Sequence, residues 1–451
     1  MARQSGEYRG GIEMNRERYK ERKEPMKRKK LSRIYGYILH QIYNERRSNW
    51  ALLAELLIVS SVVWYLVDSS YTMVARAIEP KGFDASNCYR IILNRLDADA
   101  VGYDPEHPDS TDITVADKLA LLDRLRHDED IECAAYSLRN DPYQGSSMSN
   151  KVSYDTIYAY AREIFCQPDF LKVFRYRGTN GETPEQLAAL LNDNHVLLSK
   201  GTFKQKYDMN KMIGKEIFIN TFDMLPKRLV AIIDPVKRAE TEELHYTSVV
   251  VRPLRETMLA SDFLDGGSLA VRVKENKVQG FEERFRQKIK GQAMREGNHF
   301  ISDFASYDRL GERYMERAKT PMRYYVVAIV FLLMNVFLGL LGTFWFRTQH
   351  RFPEIGLQKA IGATNTDITL RLFAEAVLLL TIAFIPSLVI DFSIADAELT
   401  EYYRGETLET GRFLICAALS YALMLLIIGL GIWFPALRAV KANPVEVLRG
   451  E

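Results

Sequence analysis

Residue types able to do chemistry are few in this sequence, and they are scattered. The segment Asp104-Pro105-Glu106-His107-Pro108-Asp109 gathers three carboxylates and an imidazole, donors of the kind that hold divalent cations. Its two prolines and local acidity favour a solvated loop instead. Cys88, Cys133, Cys166 and Cys416 lack the paired CxxC spacing of a metal site and read as small buried or free side chains. The pattern of a serine nucleophile elbow (GxSxG), a zinc protease (HExxH) or a Cys/His nucleophile is missing. Gly214-Lys215 is the only Gly-Lys pair, and Met209 stands where a phosphate-binding loop needs glycine. The expectation is a non-enzyme with no catalytic residue, no metal and no cofactor.

Two further carboxylates, Glu55 and Glu375, fall inside long apolar runs, and those runs are the elements that must position everything else. The 47% hydrophobic content and mean hydropathy of −0.16 suit a soluble protein, but the apolar residues are pooled. A helix needs about 20 apolar residues to cross a bilayer. Four stretches supply them: TM1 within residues 48–70, TM2 at 324–346, TM3 at 370–390 and TM4 at 413–434. Trp50, Trp64, Tyr324, Tyr325, Trp345 and Trp433 cluster at their ends, as amphipathic rings do at headgroup level.

Orientation follows from the cations. Arg and Lys crowd residues 16–47, recur at Arg347, Arg351, Lys359 and Arg371, and return at Arg438, Lys441 and Arg449. The connection between TM3 and TM4 is acidic, with Asp391, Asp396, Glu398, Glu401, Glu406 and Glu409. By the positive-inside tendency both termini are cytoplasmic and residues 71–320 lie outside. TM1 is too long and too far from the N-terminus for a cleaved signal peptide. Residues 1–30 read as a disordered basic tail and 31–47 as an amphipathic helix along the inner membrane surface. Glu55 and Glu375 then sit one to two turns inside the cytoplasmic face, where pairing with Arg47, Arg347 or Arg371 is expected.

The exterior segment mixes strands and helices. Strands are expected at Tyr89–Leu96, Cys133–Leu138, Tyr154–Tyr160 and Val196–Leu198. Glu216–Asn220 and Leu229–Ile233 read as a pair, and Ser248–Val251 and Ala270–Val273 as further edges. Helices are expected over Asp112–Leu125, from a Thr183-Pro184-Glu185-Gln186 start to near Asn194, and along Val278, Phe281, Phe285 and Ile289. The Gly/Ser-rich stretch Gln144–Asn150 reads as a hairpin tip. The fold class is a four-helix transmembrane protein with a large, two-lobed α+β extracytoplasmic domain inserted between TM1 and TM2.

The cytoplasmic stretches carry the most specific signal. Residues 347–369 contain Phe352-Pro353-Glu354-Ile355-Gly356-Leu357-Gln358-Lys359-Ala360-Ile361-Gly362-Ala363-Thr364, a short helix bounded by proline and glycine. Its apolar Ile355, Leu357 and Ile361 could enter a groove of a partner. The tail, 435–451, contains Pro435-Ala436-Leu437-Arg438-Ala439 and then Asn443-Pro444-Val445-Glu446-Val447-Leu448-Arg449. These stretches resemble the FtsX/MacB-like permeases of ABC transporters, with 322–451 as the permease domain. Val196-Leu197-Leu198-Ser199, Met212-Ile213-Gly214-Lys215 and Val230–Ile233 are similar to that family's MacB-like periplasmic core. The resemblance implies a subunit without a fused ATPase, paired with a second permease copy or paralogue. A separate cytoplasmic ABC ATPase would grip Glu354, Ile355, Gly356, Leu357, Lys359, Gly362 and Ala363, with Pro435, Arg438, Asn443, Pro444, Val445 and Leu448 as the C-terminal cytoplasmic motif. Membrane lipid and a periplasmic adaptor or outer-membrane protein are further partners it implies; nucleic acid is not. Its setting is the bacterial inner membrane, and its work is efflux, lipoprotein or peptide export, or mechanotransmission. The competing class is a membrane-anchored receptor whose exterior domain binds a ligand.

Overall fold

The computed structural model describes residues 40, 43, 46–107, 110–138, 141–143, 149–203, 208–220, 226–242, 249–255, 258–259, 267–350, 352–401 and 407–441. The expected N-terminal tail, most of the expected interfacial helix and most of the Gln144–Asn150 tip lie outside them. The chain forms two units: residues up to Tyr71 with Arg323–Glu401 and Thr407 onward, and Thr72–Met322.

The first unit is helical. It takes most of α1 (Arg46–Ile78) and α6 (Tyr307–His350), with α7 (Phe352–Ala360), α8 (Asn365–Asp396) and α9 (Thr410–Lys441). Helices α1, α6, α8 and α9 are each long and apolar enough to cross a membrane. All four outrun their apolar cores, so Asp391 and Asp396, read from sequence as loop residues, belong to α8. Leu56, Val63, Trp64, Leu379, Leu380, Met424 and Ile428 fill the interior. Trp64 meets Phe413 at 5.2 Å between ring centroids, and Thr381 shares a 2.9 Å hydrogen bond with Tyr421. Lipid is as apolar as these side chains, so close packing and such bonds must hold the helices together.

The second unit is an α+β body carrying eleven strands among the described residues. Its open part runs β10 (Arg295–Glu296), β11 (His299–Ser306), β1 (Cys88–Arg95), β9 (Gly267–Val273), β2 (Ile131–Leu138), all antiparallel. Helices α2 (Thr111–Arg126) and α5 (Phe281–Lys290) cover one face, burying Leu122, Leu125, Phe281 and Phe285 against Tyr89, Ile91 and Phe304. The remaining strands are β3 (Ser149–Tyr154), β4 (Ile157–Cys166), β5 (His195–Ser199), β6 (Glu216–Ile219), β7 (Pro226–Ile233) and β8 (Val249–Pro253). They close a ring in the order β4-β3-β6-β7-β5-β8 and back to β4, which leaves no open edge within it. Val152, Val196, Leu198, Ile217, Leu229 and Val250 pack in one core of this lobe.

Several sequence expectations need correction here. Tyr154–Tyr160 is not one strand, because a two-residue turn at Asp155-Thr156 separates β3 from β4, and Asp155 takes φ 51° to make it. A run of β-prone side chains continued across the turn and hid it. The segments read as edges are interior: β9 lies between β1 and β2, and β8 pairs with both β5 and β4. The helix opened by Thr183, capped as expected with Gln186 closing the box, is α4 (Pro184–Leu190) and stops four residues before Asn194. A one-turn helix, α3 (Phe170–Val173), was not foreseen.

Candidate functional site

Helix α7 is short because both its ends are marked. Pro353 stands in its first turn, and beyond Ala360 the Ile361 and Gly362 amides return to Leu357 and Lys359 carbonyls at 3.0 and 2.9 Å. Two residues later Thr364 caps α8: its hydroxyl accepts from the Asp367 amide at 3.2 Å while Asp367 accepts from the Thr364 amide at 3.2 Å. The short helix is therefore joined to a spanning helix through three residues, Ile361 to Ala363, with little slack. Ile355 is buried in the bundle core rather than available for docking. Glu354, Leu357 and Ile361, spaced i, i+3 and i+7 on one face, are exposed instead. Lys359 is half-buried, and Gly362 and Ala363 form the connection.

Helix α9 continues to Lys441, so Pro435 and Arg438 of the tail motif are helical. Asn443, Pro444, Val445 and Leu448 lie outside the described residues. Of the carboxylates picked out inside the spans, Glu375 is 2% exposed. Glu55 packs on Gly339 of α6, where a Cβ would stand 2.8 Å from its Oε1. Glycine there lets the two helices approach with a polar head between them. The Arg47 and Arg347 side chains lie outside the described set.

Sequence reasoning missed the most deeply buried charges of the bundle. Arg412 Nε lies 3.0 Å from Asp68 Oδ1, both side chains almost wholly buried, and Arg412 also donates to the Glu401 and Thr407 carbonyls. Asp391 is completely buried on α8. Asp391 and Arg412 fall in the connection read between TM3 and TM4, and Asp68, near the end of TM1, drew no reading. Their only signal was helical phase: Trp64, Asp68 and Thr72 share a face, as do Ser387 and Asp391.

The expected solvated loop that begins at Asp104 is in fact stapled to the body as far as His107. His107 Nε2 and His299 Nδ1 lie 2.9 and 2.7 Å from the two oxygens of buried Asp117, and the Asp104 amide donates to Asn298 Oδ1 at 2.8 Å. Pro108 and Asp109 are outside the described residues. Among the described residues no group of three or more such ligands could hold a metal. Cys88 and Cys166 are buried free thiols, and burial, aided by Glu132, pushes the Cys133 thiol up to about 12, a poor nucleophile at neutral pH.

Residues 326–444, covering most of α6 and all of α7, α8 and α9, match the family described as FtsX-like permease C-terminal. This segment is an FtsX-like permease domain. With four helices among the described residues long and apolar enough to span a bilayer, the chain carrying this domain is a multi-pass membrane protein. No curated protein matches it. Among solved structures it is similar to the periplasmic region of MacB from Actinobacillus actinomycetemcomitans, at 12% identity over 53% of this chain and 97% of that one, TM-score 0.29. It is also similar to the extracellular domain of the ABC-type transporter YknZ from Gram-positive bacteria, at 12% identity over 48% and 100%, TM-score 0.28. The permease match places α7, with exposed Glu354 and Leu357 and with Ile361 just past its end, inside the family's domain.

Proposed function

We propose that this permease is the membrane subunit of an ABC transporter complex, in which a separate cytoplasmic ATPase grips α7 and moves the α+β body on the opposite side of the inner membrane. The match over residues 326–444 carries the reading. The body, between two spanning helices in chain order, is extracytoplasmic, and both termini are cytoplasmic, in accord with the cations at Lys359 and Arg371 and the acids at Glu398, Glu401 and Glu409. Leu357 and Ile361 supply the apolar contact with the ATPase and Glu354 the polar one. Val327, Val330, Phe331, Met334 and Leu338 are exposed on α6, a wide apolar surface that suits lipid and a second permease copy. The output is mechanical: export of a lipoprotein, peptide or drug from the outer side, with or without a periplasmic or outer-membrane partner.

The test is co-purification of the tagged chain from its native membrane, followed by ATP hydrolysis in lipid nanodiscs. An ATP-binding subunit should accompany the wild type and be lost from Leu357→Asp with Ile361→Asp, while the tagged chain stays in the membrane. A chain recovered alone, without ATP hydrolysis in any lipid, would favour the receptor class.

A further inference from the structure

The α+β body contains the C-terminal turns of α1 and the N-terminal turns of α6, and one side chain reaches both. Tyr143 follows β2, held at φ 60° with its amide on the Arg238 carbonyl at 2.9 Å. Its hydroxyl donates to Glu240 Oε1 at 2.7 Å and accepts from Lys81 Nζ at 3.3 Å, and Lys81 closes the triangle on Glu240 at 2.7 Å. Lys81 lies three residues past the end of α1. The Tyr143 ring faces α6: its centroid is 6.3 Å from that of Tyr314, and a Cβ on Gly311 would stand 2.9 Å from it. Lys237, wholly buried, fastens the same end of α1 by donating to the Arg76 carbonyl at 2.7 Å and Glu79 at 3.1 Å. Two residues before Tyr143, buried Asp141 receives Arg90 at 3.0 Å and the hydroxyl of Tyr307, first residue of α6, at 3.1 Å.

We propose that Tyr143 is the positioning residue of a single joint that locks the ends of α1 and α6 together, so that movement of either helix enters the body through it. The inference rests on the coupling role proposed above, which needs such a joint, but the contacts stand without it. A steric constraint at Gly311 and a polar one at Lys81 meet in one side chain, so displacement of the ring by α6 breaks the hydrogen bonds next to α1. Burial and the bond to Glu240 hold the phenol well above its ordinary range, so it remains a donor at neutral pH. Burial pushes Glu240 up, but the bonds from Lys81 and Tyr143 outweigh this and hold it below the usual carboxylate range.

The experiment is hydrogen exchange on the full chain in nanodiscs, with Gly311→Ala, Tyr143→Phe and the double variant. Gly311→Ala, made on α6, should raise exchange of the Glu79 and Lys237 amides, which bond the Ala75 and Lys81 carbonyls, by about tenfold, the loss of one hydrogen bond's protection. With the hydroxyl already gone in Tyr143→Phe, the same substitution should change exchange there about twofold or less, a non-additivity expected only of coupled groups. Unchanged exchange at Glu79 and Lys237 in Gly311→Ala, or equal effects in both backgrounds, overturns the joint. This readout needs no ATPase, so its failure is separate from failure of the transport reading. With the ATPase subunit present, Tyr143→Phe should retain ATP hydrolysis and lose the nucleotide-dependent change in exchange at β1 and β11.

Discussion

The Arg412 guanidinium of α9 and the Asp68 carboxylate of α1 form an ion pair at 3.0 Å inside the helical unit, at 2% and 1% side-chain exposure. A pair so far from water gains little over an apolar pair, because desolvation offsets the attraction, but breaking it strands a charge. Arg412→Leu should therefore destabilise the bundle by about 3–5 kcal/mol. Arg412→Leu with Asp68→Leu should recover most of that loss. Thermal unfolding in detergent, followed by tryptophan fluorescence, measures both. A double variant no more stable than the single one would show that the two side chains act independently.

Asp391 gives the opposite sign. It is fully buried on α8 facing the Ser61 hydroxyl of α1, yet neither carboxylate oxygen reaches good hydrogen-bond geometry among the described residues. One turn back, Ser387 donates to the Phe384 carbonyl instead. An unsatisfied buried polar group costs about 1–3 kcal/mol, so Asp391→Leu should raise the unfolding midpoint of the purified chain. A lower midpoint would mean that the carboxylate is satisfied within the folded bundle, with Ser61 as its partner.

The spans were legible because a bilayer demands long apolar runs, and the helix start at Thr183 because capping chemistry is local; the Thr364 start of α8 was not read, because the apolar run begins only at Leu370. The Thr183 start was read from four adjacent residues, and the structure adds a capping box with Gln186, both of whose hydrogen bonds it shows. What sequence could not show was closure over distance. Lys81, Tyr143, Glu240 and Gly311 come from four separate segments, and nothing local marks any of them. Ile355 shows the same limit on a smaller scale: its apolar character is plain, but whether it faces the bundle or a partner depends on the rotation of α7. The C-terminal Asn443-Pro444-Val445 motif was equally plain in sequence and lies beyond the described residues.

Acid should weaken the α+β body through Asp130. Burial pushes its carboxyl up, but Arg284, at 3.2 Å, and Lys288, at 3.5 Å, outweigh this and hold it below the usual carboxylate range. A group lowered in the folded state contributes stability that is complete above its unfolded value, about 3.9, and disappears as pH falls through the folded value. Near-ultraviolet circular dichroism of the full chain between about pH 5 and pH 2 should show this loss. In Asp130→Asn the acid limb should be shallower and the stability at neutral pH lower. Parallel curves for the two proteins would assign the acid sensitivity to other carboxylates.

The exit from α1 offers the sharpest steric prediction. Gly82 takes φ +78°, and a Cβ built on it would stand 2.0 Å from the Pro235 carbonyl oxygen, which is backbone and cannot swing away. The neighbouring Lys237 amide donates to the Lys81 carbonyl at 2.8 Å, so the two segments are pinned where they cross. Gly82→Ala must both adopt a left-handed backbone and push this crossing apart. The first alone costs about 1–3 kcal/mol, and the second adds to it. The variant should unfold at a lower temperature and lose protection from exchange at the Glu79 and Lys237 amides together. Strands β3 and β6, which bond to neither segment, should keep their protection; general loss across them would show instead that the crossing is part of the body's folding core.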